Sequence, residues 1–273
     1  MNRILLVLLY LSLASFLSKD SGGFLKINGK SEYILRKGNG TPAVVFVTGI
    51  GATSDNFSEI QSSISKLTLT ISYDKAGLGK SETMGTERSL DNMAAELDSI
   101  LIKESVTAPC ILVGHSRGGL LLRYFANKYP EKVAGLILID PSSIEALQKK
   151  RAIRSREDRV TYDSINKLTY KDASANETAN EFKNFYLTDT LLLKGIYFST
   201  SLPITIIAST KKSKEKYGNM DTDIKIDLYK SWIQKSPQVK LVLTDKASHS
   251  IHNEQPKLVI DEITSMYNKL SGH

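Results

Sequence analysis

The sequence predicts an α/β protein built on a mostly parallel sheet. Two observations carry this. Short, largely apolar runs recur at residues 43–47, 67–73, 110–113, 133–139, 204–208 and 239–243, and helix-spaced apolar stripes lie between them. Such runs suit strands buried on both faces, and their alternation with helices is the pattern of a sheet covered on both sides. Composition agrees: 273 residues, 41% hydrophobic and 24% charged, can bury a full core and argue against disorder or a polytopic membrane protein.

The elements follow in chain order. Residues 24–27 and 33–36 flank Asn28-Gly29, a dipeptide suited to a tight hairpin, so the sheet should open with an antiparallel edge. Ser89 can cap a helix whose apolar positions are Met93, Leu97, Ile100 and Leu101. Pro256 suits the first turn of a last helix, with the stripe Val259, Ile263, Met266, Tyr267 and Leu270. Between residues 141 and 202 the alternation stops. This stretch reads as helical, polar and basic, too long for an ordinary connection and therefore an inserted lid.

The N-terminus is set apart. Arg3 precedes an apolar run from Ile4 to Leu17, interrupted only by Ser residues. At about 14 residues the run is short for a membrane span and suits the core of a signal peptide. Residues 1–18 are therefore expected to be a signal peptide or an uncleaved anchor, with a small-x-small site at Ser12-Leu13-Ala14, and the protein to be exported, periplasmic or secreted. The single Cys110 forms no disulfide framework and reads as a core residue, and four His without H-E-x-x-H make a metal site unexpected.

The informative stretch is Val113-Gly114-His115-Ser116-Arg117-Gly118-Gly119. A bare G-x-S-x-G is weak, but here it directly follows a buried-strand pattern and opens a helix. That is the strand-to-helix elbow at which a Ser hydroxyl protrudes. Such a hydroxyl needs a base. His115 lies within the motif with its side chain expected to point elsewhere, and His273 is the chain terminus, so His249 and His252 remain.

Four stretches in this order resemble the α/β-hydrolase superfamily: Val47-Thr48-Gly49-Ile50-Gly51, Tyr73-Asp74-Lys75-Ala76-Gly77-Leu78-Gly79-Lys80-Ser81, the Ser116 elbow, and Ser248-His249 before the last helix. The resemblance spans residues 24–270. It implies an eight-stranded, mostly parallel sheet with helices on both faces, a core of residues 24–140 and 203–270, and a helical lid at 141–202. It places the base at His249, leaving His252 to pack near the lid or the sheet rim. Its usual position for the acid, after the strand 204–208, holds Ser209-Thr210-Lys211-Lys212-Ser213-Lys214, with no acid before Glu215. Some members carry the acid one strand earlier, where Asp140 stands at a strand tip; Asp221 and Asp223 are the alternatives. The resemblance also implies an oxyanion hole from the backbone N–H groups of Ile50 and Arg117, with Thr48 where many relatives carry His. Residues 74–81 read as a structural turn.

The expectation is a serine hydrolase that cleaves an ester or related acyl bond of a small to medium apolar substrate, without cofactor or metal. The alternatives are an acyltransferase, lactonase, C–C hydrolase, peptidase or haloperoxidase of the same fold, or a ligand-binding protein. Ser116 argues against the epoxide hydrolases and haloalkane dehalogenases of this fold, which attack with Asp. Net charge is +7, with basic clusters at 149–159 and 211–216. These are expected to be solvated faces, or to associate with an anionic membrane surface. Nucleic acid is not an expected partner, because no aromatic residues interleave the charges.

Overall fold

The computed structural model describes residues 21–272 apart from 170, 173, 175, 188 and 190–200; the expected signal segment lies outside the described residues. The chain opens with the hairpin β1 (Ser21–Ile27) and β2 (Lys30–Lys37), paired antiparallel with Ile27 opposite Lys30. Asn28 and Gly29 both adopt positive φ, 49° and 82°, which matches the twist of a two-residue hairpin.

Six further strands are β3 (Val44–Val47), β4 (Thr70–Tyr73), β5 (Cys110–His115), β6 (Val133–Ile139), β7 (Ile204–Ser209) and β8 (Val239–Thr244). The sheet order is β1-β2-β4-β3-β5-β6-β7-β8, parallel from β4 onward. The chain runs outward from β3 to β4, then returns to lay β5 on the other side of β3. Strand order therefore reverses between β3 and β5, where open α/β sheets form their ligand crevice at the carboxyl ends of the strands.

Alternate side chains of the central strands enter two cores. Val45, Val47 and Leu112 pack with Leu97 and Ile100 of α2 (Leu90–Lys103) and with Leu121 and Phe125 of α3 (Arg117–Lys128). Tyr229 and Trp232 of α7 (Gly218–Lys235) join this face. Val44, Phe46 and Ile111 pack on the opposite face with Ile60 and Ile64 of α1 (Ser58–Ile64) and with Val259, Ile263 and Met266 of α9 (Pro256–Ser271). Each such side chain, fully buried, stabilises the fold by about 1.5–3 kcal/mol. The Ser89 hydroxyl caps α2 by accepting from the N–H of Asn92, 3.3 Å away.

Between β6 and β7 the described residues form α4 (Ile144–Ala152), α5 (Arg156–Thr169) and α6 (Glu177–Leu187). A short α8 (Ile251–Glu254) precedes α9. Strand β4 begins at Thr70 rather than at Leu67. The N–H groups of Leu67 and Thr68 instead donate to the carbonyl of Ile64 and close the end of α1. No helix among the described residues is long and apolar enough to cross a membrane.

Candidate active site

Strand β5 and helix α3 meet at Ser116, held at φ 53°, ψ −121°. A positive φ is costly for a residue with a side chain, by about 1–3 kcal/mol, and persists only where surroundings enforce it. Here they do. The Ser116 N–H donates to Ile139, and its carbonyl accepts from Ser142 at 2.9 Å. The turn leaves no room for side chains at its glycines: a Cβ on Gly118 would lie 2.3 Å from the Val47 carbonyl oxygen, and one on Gly114 2.8 Å from Gly118 and Gly119. The Ser116 hydroxyl stands at the sheet's carboxyl edge, 3.3 Å from the hydroxyl of Ser142.

Asp140 follows β6 directly, also at positive φ (41°), and is buried. Its Oδ2 lies 2.7 Å from Nδ1 of His249. Its Oδ1 accepts from the backbone N–H of Ser209 at 3.2 Å and from Nζ of Lys225 at 2.7 Å. Burial pushes the Asp140 carboxyl up, but the His249 hydrogen bond and the Lys225 ammonium outweigh it and hold it below its ordinary value. An ionised Asp140 accepts only, so the neutral His249 ring carries its proton on Nδ1 and presents Nε2 as a base.

The other candidates lie elsewhere. Asp221 pairs with Arg154 at 2.7 Å, and Asp223 sits on α7 without a contact to His249 among the described residues. His252 is buried at the carboxyl edge of the sheet, its ring 4.2 Å from that of His115, the last residue of β5, and 5.2 Å from Phe57. His115 also turns toward the site: Nε2 lies 3.0 Å from the carbonyl oxygen of His249, and since a carbonyl only accepts, that nitrogen carries the proton. Burial first, then the neighbouring His252 and His249 rings, lower the His115 pKa to about 3.

Residues 48–52 form the loop beside Ser116; a Cβ on Gly49 would sit 3.2 Å from the Cβ of Ser116. Thr48 supports the loop by donating its hydroxyl to the Ala52 carbonyl at 2.8 Å. The second support was not legible in the sequence. Lys75, fully buried in the turn after β4, donates to the Gly49 carbonyl at 2.7 Å and to Glu181 of α6 at 2.8 Å. Glu181 accepts in turn from the Gly51 N–H at 3.3 Å. The Arg117 side chain runs into the same interior and pairs with Asp189 at 2.9 Å, so its position at the start of α3 is fixed from below. Its own N–H is among those that the first helical turn leaves without an intrahelical acceptor. The turn 74–81 is structural as expected, with Asp74 accepting from Ser54 and from the N–H of Lys80.

Beside these residues lies a cavity of about 260 Å³ whose lining includes Ser142, Lys150, Arg154, Lys225 and His249. Among the described residues no three His, Cys, Asp or Glu side chains are grouped as a metal site requires.

The α/β hydrolase fold family matches residues 42–159. The uncharacterized protein YqjL of Bacillus subtilis (strain 168) is 24% identical over 226 residues, 82% of this chain and 83% of that protein. The sn-1-specific diacylglycerol lipase ABHD11 of Mus musculus is 24% identical over 260 residues, 85% and 83% of the two chains. Epoxide hydrolase VrEH1 from Vigna radiata shares the fold with a TM-score of 0.70 over 93% of this chain and 99% of that one, at 14% identity. With its strand order, its elbow at Ser116 and these similarities, the chain has the α/β-hydrolase fold.

Proposed function

We propose that the protein is a serine hydrolase that cleaves a carboxylic ester, or a related acyl bond, of a small to medium substrate through an acyl-enzyme. The observation that carries this is the 2.7 Å contact of Asp140 with His249, beside a half-buried Ser116 held at the tight turn between β5 and α3. In this reading His249 Nε2 takes the Ser116 proton as Oγ attacks the carbonyl. Asp140 holds the ring in that tautomer and stabilises the imidazolium that forms. The N–H groups of Ile50 and Arg117 stabilise the developing oxyanion. His249 then gives its proton to the leaving alkoxide, and water, deprotonated by the same nitrogen, hydrolyses the acyl-enzyme. Helices α4, α5 and α6 serve as the lid over this site, and residues 1–18 direct export. Relatives named as a diacylglycerol lipase and as a carbamate hydrolase support acyl chemistry for this chain.

The test is turnover of p-nitrophenyl esters of graded acyl length, together with labelling by a fluorophosphonate. Turnover and labelling of wild type, both lost in Ser116→Ala, with kcat falling by about 10³–10⁴-fold in Asp140→Asn, are the expected results. Wild type that neither turns over any ester nor takes the label would overturn the reading and favour a ligand-binding protein.

A further inference from the structure

The cavity beside His249 has a charge imbalance that points to its ligand. Three cations reach it, Lys150 from α4, Arg154 from the turn that follows, and Lys225 from α7, against two carboxylates, Asp140 and Asp221. Two of the cations are committed. Lys225 lies 2.7 Å from Asp140, and Arg154 lies 2.7 Å from Asp221. Lys150 is left over: half-buried, with no carboxylate within 4.0 Å of its ammonium among the described residues. Its surroundings are poor for a charge. Burial lowers its pKa, and Asp221 only partly compensates. A desolvated ammonium without a partner is unfavourable, and an anion entering the cavity would relieve it.

The position of the cavity says which part of a substrate the anion belongs to. Its floor includes Ser142, whose hydroxyl faces that of Ser116, and His249. A group held there is covalently close to the scissile bond. About 260 Å³ is room for about eight water-sized volumes, enough for a short chain ending in a carboxylate.

We propose that this cavity binds a carboxylate of the substrate, a short chain away from the scissile carbonyl, and that Lys150 is the residue that pairs with it. This rests on the hydrolase reading and narrows it, from any small to medium substrate to one with an anionic end. The carboxylate belongs either to the acyl half or to the alcohol half, and matched ester pairs separate the two.

The experiment compares 4-nitrophenyl hydrogen glutarate with 4-nitrophenyl butyrate for the acyl half, and 4-(butanoyloxy)benzoate with 4-(butanoyloxy)benzamide for the alcohol half. In wild type one anionic ester should exceed its neutral partner by about tenfold or more in kcat/KM, the strength of one charge-assisted hydrogen bond. The ratio should fall to near one in Lys150→Met and be largely retained in Lys150→Arg. Glutarate binding to Ser116→Ala, followed by calorimetry, should weaken by a similar factor when Lys150→Met is added; Lys150→Gln replaces Lys150→Met if the latter does not fold. Neutral esters turned over with ratios near one in wild type would overturn this proposal and leave the hydrolase reading intact. Unchanged ratios in Lys150→Met would overturn it too. If no ester is turned over and the fluorophosphonate does not label, the hydrolase reading fails, and the calorimetry alone decides whether the cavity takes a carboxylate.

Discussion

Lys75 holds Glu181 across two separate parts of the chain, its ammonium 2.7 Å from one carboxylate oxygen and 2.8 Å from the other, both side chains out of reach of water. Burial pushes the Glu181 carboxyl up, and Lys75, Arg117 and Arg88 together outweigh it and keep it ionised. Removing one partner of a buried pair strands the other, so Lys75→Met is expected to destabilise the protein by about 3–5 kcal/mol. Adding Glu181→Gln should restore part of that loss. Urea unfolding of the two single variants and the double variant measures it through their non-additivity.

Glu32 on β2 is fully buried, and among the described residues neither of its oxygens meets a hydrogen-bond donor. Burial first, then the charge of Glu96, push its carboxyl up to about 9. At neutral pH it therefore keeps its proton. A group whose pKa is raised on folding contributes stability that is complete below its unfolded value and drains away as pH climbs toward the folded one. Between pH 5 and pH 9 wild type should accordingly lose melting temperature. Glu32→Gln, which cannot ionise, should flatten that decline and melt higher than wild type at pH 9. Thermal melts across the range check this, and parallel declines for the two proteins would contradict it.

His252 behaves in the opposite direction. Both of its ring nitrogens are buried without a hydrogen-bond partner among the described residues, against Phe57 and His115. Burial, then the nearby His249, lower its pKa to about 4 from an ordinary 6.5. Its contribution to stability is present above pH 6.5 and is lost as pH falls toward 4. At pH 5 the loss amounts to about 2 kcal/mol, since each pKa unit corresponds to about 1.4 kcal/mol. His252→Leu sacrifices no hydrogen bond and should lose about 2 kcal/mol less than wild type between pH 7 and pH 5 in urea titrations.

Local signals carried most of the architecture. Asn28-Gly29 announced the hairpin because few dipeptides accept two positive φ values in a row, and Pro256 opens α9 because a first turn does not use its N–H. Ser116 and Asp140 were legible for a related reason: each directly follows a buried apolar strand, so the sheet itself delivers them to one edge. Strand β4 is three residues shorter than its apolar pattern suggests, because Leu67 and Leu69 imitate a strand whereas the carbonyl of Ile64 takes the N–H groups of Leu67 and Thr68. Lys225, Lys75 and Glu181 were not legible at all. Their partners lie 85 residues away for Lys225 and 106 for the Lys75–Glu181 pair. In a polar helix or turn, nothing local separates such a residue from a solvated one. The burial of His252 is not legible locally, because a histidine next to the last helix resembles a surface residue until Phe57 and His115 close over it.

The buried pairs also set how this architecture can diverge. Lys75 and Arg117 lie on the turn after β4 and at the elbow, while Glu181 and Asp189 arrive from the stretch between β6 and β7. That stretch is therefore not an interchangeable cassette. A transplant from a relative that lacks acids at these two places would leave two cations sealed in the interior next to the Gly49–Gly51 loop. Substitutions at the four positions are bound to travel together, cation with anion, and a recombinant that separates them would fail in folding before its substrate preference could be read.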